Sequence, residues 1–546
     1  MHPSIKKLTA PRPTRRGFLA GSAGLVLGLY LAPKARASAT GEGYAPNAFV
    51  RIAPDDSVTV LVKHIEIGQG ANTGLPILVA EEMDADWSQM RAEQAPVDPS
   101  RYVNTAFGVQ GTGGSTGLSN SYMTMRQAGA AARAMLVAAA ADEWGVPAGE
   151  ITVTKGVVAH EGSGKSSGFG ALAEAAAGMP VPENPALKDP AEFTLIGGEG
   201  VTRLDAEAKT NGSAQFSIDV YREGMQVVAM VHPPKFGAVV VSFDDSAAME
   251  ISGVNAVRQV PSGIAVYAGN TFAAFKGRDA VTVEWDESGA ETRSSDEIAR
   301  VFAEAARAPG KVAEAAGDVD TALENAAEVI EADYLFPYLA HAALEPLDGV
   351  IELREDGAEV WAGEQIPTIS RQAMGGVLGM EPGKIEMHTM FAGGSFGRRA
   401  TPDSHFAAEL ANVAKAAGPG AYKLVYTREN DMQAGYYRPL TAHHLKAGLD
   451  ADGNITAWLN TVANQSIIAD TPFAMMMKDG LDPTSYEGSN DLAYDLPNTR
   501  LSWAQMDAGV PTLWWRSVGH THTAYAVETF LDRGLCQVVD PTQLHA

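Results

Sequence analysis

With a single cysteine, Cys536, in 546 residues, the chain cannot form an internal disulfide, hold an iron–sulfur cluster or carry a C-x-x-C-H haem attachment. Electrons handled in a redox reaction would have to leave through another subunit. Basic residues are also scarce: 41 Lys and Arg face 66 Asp and Glu, a formal charge of −25. No long basic run follows the N-terminus, and a nucleic-acid partner needs a basic face to neutralise its phosphates, so none is expected. Beyond the N-terminal segment no apolar run approaches the ~20 residues that span a bilayer, so membrane contact is expected only through a partner. Familiar catalytic signatures are missing too. There is no G-x-S-x-G, and AHEGSGKSS at 159–167 has Ala159 where a P-loop requires glycine. Neither His443 with His444 nor His520 with His522 presents two ligands on one helical face, so hydrogen-bonding roles are favoured over a zinc site.

What is present begins at the N-terminus. TRRGFLAGSAGLVLGLYLAPKARASAT has paired Arg15 and Arg16, an apolar stretch from Gly17 to Leu31, and a small-residue cleavage site at Ala35-Arg36-Ala37. Together these predict a twin-arginine signal peptide over 1–37 and a periplasmic protein. A transmembrane anchor is the alternative, and the run is glycine-rich and short for one. The twin-arginine route carries folded proteins, which raises the prior for a cofactor inserted before export.

Length alone predicts two to four domains. NAFVRIAPDDSVTVLVKHIEIG reads as a hairpin around Asp-Asp-Ser, followed by a helix, and an alanine-rich helix is predicted from Ser121 to Trp144, stopped by Gly145 and Pro147. ITVTKGVVAHEGSGKS reads as a second hairpin, and the proline-rich stretch near 175–190 as a linker. Short strand-like runs such as MQVVAMVH and AVTVEW mark a small middle domain, and a charged, alanine-rich segment from Ser294 to Asn325 connects it to a third region. In TPDSHFAAELANVAKAAG, Thr401 is the expected N-cap and Pro402 the first helical residue.

Four segments, IEIGQGANTG, GVQGTGGSTGLSNS, FAGGSFGRRATPD and WWRSVGHTHTAYAVETF, pass through a small-residue turn into a helix. Such turns allow close backbone approach, and exposed N–H groups at a helix start favour anions. Any one of them is more often an ordinary turn; four together suggest loops that wrap a pyrophosphate. None is a Rossmann fingerprint.

The ordered set IEIGQG, QGTGGS, YLAHAALEPL, WAGEQIPT, FAGGSFGRR, YDLPN and WRSVGH resembles the molybdenum-cofactor subunit of the xanthine oxidase and aldehyde oxidase family. The likeness is strongest to the exported isoquinoline 1-oxidoreductase beta-subunit branch, and it runs from the hairpin before Gly68 to about Asp532. It implies an α+β multidomain fold: a permuted part of the cofactor domain at 38–190, an α/β hammerhead at 191–310 and the main cofactor domain at 311–546. It also implies a molybdenum–molybdopterin cofactor, in bacteria of the cytosine dinucleotide form. Gln69 and Gly70 would lie at the pterin and its pyrophosphate, and Thr112, Gly113, Gly114 and Ser115 around the dinucleotide tail. Gln365 would hydrogen-bond an oxo ligand of the metal, Gly394, Phe396 and Gly397 would line the metal side, and Arg516 would precede a second contacting loop. The implied reaction is hydroxylation of a small molecule with oxygen from water, electrons passing to a small [2Fe-2S] subunit and then a cytochrome.

Two departures stand out. Ala400 occupies the place of a substrate-binding glutamate in purine-oxidising members, which argues against xanthine. The glutamate base of a C-terminal G-x-G-E-type motif is not found either, and Glu66 and Glu345 match other family elements. The expectation is a truncated reading or completion by a second polypeptide; a non-catalytic cofactor-binding protein is the remaining alternative.

Overall fold

A computed structural model describes residues 25–29 and 47–538, so most of the expected signal peptide lies outside the described residues. The chain divides into two compact units. The first comprises Met1–Gln226, Asp348–Gly394 and Phe406–Leu424, and the second Val227–Leu347, Ser395–His405 and Val425–Ala546.

In the first unit the expected hairpin forms. Strands Asn47–Ile52 and Val58–Val62 pair antiparallel in a four-stranded sheet, and Asp55 accepts the Ser57 N–H and hydroxyl in the turn. Val58–Val62 then pairs parallel with Met90–Gln94, the crossover being made by helix Ala71–Met83. That helix packs on the alanine-rich helix Tyr122–Trp144, which Gly145 ends in the left-handed conformation. The helices come so close that a Cβ on Gly129 would stand 2.5 Å from the Val79 carbonyl oxygen. The second predicted hairpin has a third strand: Ile151–Thr154, Val157–His160 and Lys165–Gly168 form one antiparallel sheet. Elsewhere in the unit, Gly420–Val425, Asp348–Leu353, Ala358–Ala362 and Ile385–Thr389 lie side by side in that order.

The second unit contains the antiparallel strands Val254–Val260, Gly263–Ala268 and Gln226–Val231, with helix Thr271–Ala280 beside them. Its largest sheet runs Lys311–Ala316, Thr499–Gln505, Ile455–Asn464, Thr441–Leu449, Glu328–Phe336. Helix Ser295–Arg307 packs on this sheet through Ile298, Phe302 and Ala306, one face at a spacing of four, and begins with a Ser294–Glu297 capping box.

Two sequence expectations shift. Lys311–Ala316 is a sheet strand rather than connector, held by backbone pairing with Thr499–Gln505. The helix expected from Pro402 begins at His405, because the Thr401 hydroxyl and Asp403 carboxylate both accept the His405 N–H and Ser404 turns to φ 50°.

Candidate functional site

In the first unit the site is built from Glu66 outward. Its carboxylate is fully buried and accepts the backbone N–H groups of Gly68 (2.8 Å), Gly70 (3.1 Å) and Asn72 (3.0 Å). Arg203 and Lys209 balance its charge at 3.1 and 3.7 Å. The GQG turn is thus wound around a carboxylate of its own chain. Gln69 completes the winding, accepting from Ile67 N–H at 2.8 Å and donating to the Ile65 carbonyl at 2.7 Å.

Thr112 sits beside this turn. Its hydroxyl bonds the Ile65 N–H at 3.2 Å and His64 Nδ1 at 3.1 Å, while His64 Nε2 reaches the Ser121 hydroxyl at 3.1 Å. Burial, reinforced by the neighbouring Lys63 charge, pushes the His64 imidazole down to about 3, so it is neutral and one ring nitrogen accepts. Thr112 N–H donates to the Gln365 carbonyl, and Gln365 Nε2 donates to the Thr112 carbonyl, both at 2.8 Å. Gln365 and Thr112, 253 residues apart in sequence, therefore fix each other. The Ala392 N–H donates to the Glu66 carbonyl at 3.2 Å, bringing the strand end before Gly394 into the same cluster.

The backbone of this cluster is open, with Gly68, Gly114 and Ser115 exposed. A Cβ on Gly68, Gly70 or Gly113 would meet nothing within 4 Å. Among the described residues no protein acceptor takes the N–H groups of Gly113, Gly114 and Ser115, and Gly114 and Ser115 turn to φ 55° and 56°. Consecutive unmatched N–H donors of this kind form an anion-binding nest.

The second unit holds Phe396, Gly397 and Arg516. The Arg516 N–H donates to the Phe396 carbonyl at 2.7 Å, and the Phe396 and Trp515 rings stack with centroids 5.9 Å apart at 17°. Phe396 has φ 59° and Gly397 φ 111°; a Cβ on Gly397 would stand 2.4 Å from the Trp514 carbonyl oxygen. The Arg516 side chain is exposed. The two arginines of FAGGSFGRR are buried structural cations: Arg398 lies 3.5 Å from Asp431, and Arg399 bonds Glu345 at 2.8 Å.

A model of the molybdopterin cofactor-binding domain matches residues 8–241, and a second such model matches residues 304–537. Isoquinoline 1-oxidoreductase subunit beta of Brevundimonas diminuta is 30% identical over 96% of this chain and 73% of its own length. The chain belongs to the molybdopterin-binding large subunits of the molybdenum hydroxylases. A Gluconacetobacter polyoxogenes relative, 31% identical over 97% of this chain and 71% of its own length, is named membrane-bound aldehyde dehydrogenase [pyrroloquinoline-quinone]. The fold likewise follows the family. Aldehyde oxidoreductase from Desulfovibrio gigas aligns at TM-score 0.51 and 18% identity over 68% of this chain and 45% of its own. Quinoline 2-oxidoreductase from Pseudomonas putida 86 aligns at 0.50 and 17% over 61% and 47%. The chain spans about half the length of these solved structures.

Within this family member, Gln69, Gly70, Thr112–Ser115, Gln365 and Gly394 are gathered in the first unit, and Phe396, Gly397 and Arg516 in the second. Sequence reasoning missed His64, which holds Thr112, and Trp515, which stacks on Phe396. The signals were present, a histidine immediately before the IEIGQG run and a tryptophan doublet before Arg516, but neither carries a motif.

Proposed function

We propose that this chain is the cofactor-binding large subunit of an exported molybdenum hydroxylase that oxidises an aldehyde or an N-heteroaromatic compound with oxygen from water. The observation that carries this is the reciprocal Gln365–Thr112 pairing beside an unmatched row of N–H groups. A bound molybdenum–molybdopterin, here taken in its cytosine dinucleotide form, supplies the oxygen transfer and the two-electron oxidation. The protein binds and orients. The N–H groups of Gly113, Gly114 and Ser115 hold anionic oxygens of the dinucleotide, and the GQG turn presents its backbone to the pterin. Thr112 fixes the plane of the Gln365 amide, which then presents its polar end in one orientation. Phe396, Gly397 and the backbone at Arg516 form one braced edge. Ala400, buried and small, leaves no carboxylate for a purine.

The same proposal includes a hammerhead domain at 191–310, twin-arginine export to the periplasm, a small [2Fe-2S] subunit as the first electron acceptor and a cytochrome beyond it. One observation favours a second function, a cofactor-binding or assembly protein without turnover. Two carboxylates of these clusters, Glu66 in the GQG turn and Glu345 against Arg399, are both held in ion pairs, so neither serves as a base. Dye-linked oxidation of aldehydes and N-heteroaromatics by the purified chain, with and without neighbouring gene products, separates the two. Turnover with any combination supports the hydroxylase; metal bound without turnover in every combination would sink it.

A further inference from the structure

Within the first unit, residues 203–216 lie against two of the glycine-bearing segments at once. Toward IEIGQG, Arg203 Nη1 donates to the Gly68 carbonyl at 3.2 Å and its Nη2 to the Glu66 carboxylate at 3.1 Å, while the Leu204 N–H donates to the Thr73 hydroxyl at 3.1 Å. Toward FAGG, the Phe216 backbone bridges that of Phe391, and the two rings have centroids 5.9 Å apart. Between these anchors runs the short helix Ala206–Asn211, ended by Gly212 at φ 81°. Asp205, at its N-terminal end, and Lys209 are one turn apart and form an i,i+4 ion pair, which sets the direction of the lysine. The Lys209 ammonium lies 3.7 Å from the Glu66 carboxylate and 5.0 Å from the centroid of the Phe391 ring, so one side chain reaches both segments.

Arg203 already stands 3.1 Å from Glu66, so Lys209 is not required as a counter-charge. A half-buried ion pair is also weak by itself. What Lys209 adds is a link between two loops. Glu66 fixes the N–H groups of Gly68, Gly70 and Asn72, and the Ala392 N–H, next to Phe391, donates to the Glu66 carbonyl. Moving either loop away from the other breaks a contact with the same ammonium.

We propose that Lys209 is a positioning residue that clamps the GQG turn to the start of FAGGSFGRR and so fixes the spacing of two cofactor loops. Its bearing on the cofactor rests on the function proposed above; the clamp itself rests on contacts within the chain.

Hydrogen–deuterium exchange on the full chain tests the clamp without cofactor. Lys209→Met is expected to fold, because Arg203 still neutralises Glu66. In that variant, amide exchange in peptides covering 66–72 and 391–394 is expected to quicken together by about tenfold, with helix Tyr122–Trp144 unchanged. Lys209→Arg, which keeps a cation able to stack on the Phe391 ring, should restore protection in both peptides. Quickening in one peptide alone, in neither, or throughout the chain overturns the proposal, as does Lys209→Arg behaving like Lys209→Met. In chain purified from a host that makes the cofactor, molybdenum retained after dialysis should fall severalfold in Lys209→Met and recover in Lys209→Arg. Equal retention by the natural chain and Lys209→Met overturns the role at the cofactor. A natural chain without molybdenum counts against the proposed cofactor alone, and the exchange measurement still decides the clamp.

Discussion

Gln365 and Thr112 exchange two hydrogen bonds, and His64 holds Thr112 from the other side, so orientation at the candidate site depends on three residues. Replacing Gln365 by Ala leaves the part-buried Thr112 carbonyl without its donor, at a cost of about 1 kcal/mol. Molybdenum content of purified Gln365→Ala is expected to fall more than its melting temperature suggests; full metal content would contradict the role. Glu66 behaves differently. Glu66→Gln keeps the shape, and Arg203 and Lys209 keep Asp205 as a counter-charge, but one carboxylate oxygen that accepts backbone N–H groups is replaced by a donor, which is expected to destabilise the first unit by about 1–3 kcal/mol. Chemical denaturation should show that loss with or without cofactor, whereas a catalytic base would lose turnover and keep stability. At this scale the sequence was partly legible. The motifs singled out Gln365 and Thr112, which the structure joins by two hydrogen bonds. The role of Glu66 as the centre of the GQG turn was not legible, since a carboxylate bonding to N–H groups two, four and six residues ahead leaves no periodic trace.

At the scale of elements, what the sequence showed depended on where the stabilisation comes from. Helix Tyr122–Trp144 and the Asp-Asp-Ser hairpin were legible because local propensity, stop signals and turn chemistry agree with the fold. Lys311–Ala316 was not, because its residues are mostly exposed and its order comes from pairing with a strand nearly two hundred residues away. The start of the His405 helix was misplaced for a local reason: Thr401 and Asp403 both bond the His405 N–H, delaying the first turn. Close contact between elements gives a sharper test. Gly129 lies where helix Tyr122–Trp144 meets the Val79 carbonyl at 2.5 Å from an added Cβ. Gly129→Val is expected to cost at least about 1–3 kcal/mol of overpacking, read as a lower melting temperature. An unchanged melting temperature would show that the two helices do not meet as described.

The whole molecule carries a charge of −25, yet its acid sensitivity is expected to come chiefly from buried histidines. Burial lowers His64 to about 3 and His341 and His443 to about 4, and it also holds His405 and His522 well below the ordinary value of 6.5. Each is neutral when folded and gains a proton more readily when unfolded. Their contribution is therefore complete above about pH 6.5 and is lost as pH falls from there toward 4 and below. Denaturant midpoints measured from pH 7.5 to 4.5 should decline steadily below 6.5; a flat profile would contradict burial of these rings. Domain-scale organisation was the least legible level. Both compact units are assembled from segments that are far apart in sequence, and composition shifts along a chain do not mark such returns. The central claim is that the glycine loops and the Gln365–Thr112 pair are built for a molybdenum–pterin cofactor. Its most direct test is molybdenum content together with pterin fluorescence after denaturation, on chain purified from a host that makes the cofactor. About one molybdenum and one pterin per chain are predicted, consistent with one bound cofactor; neither metal nor pterin above background would contradict it.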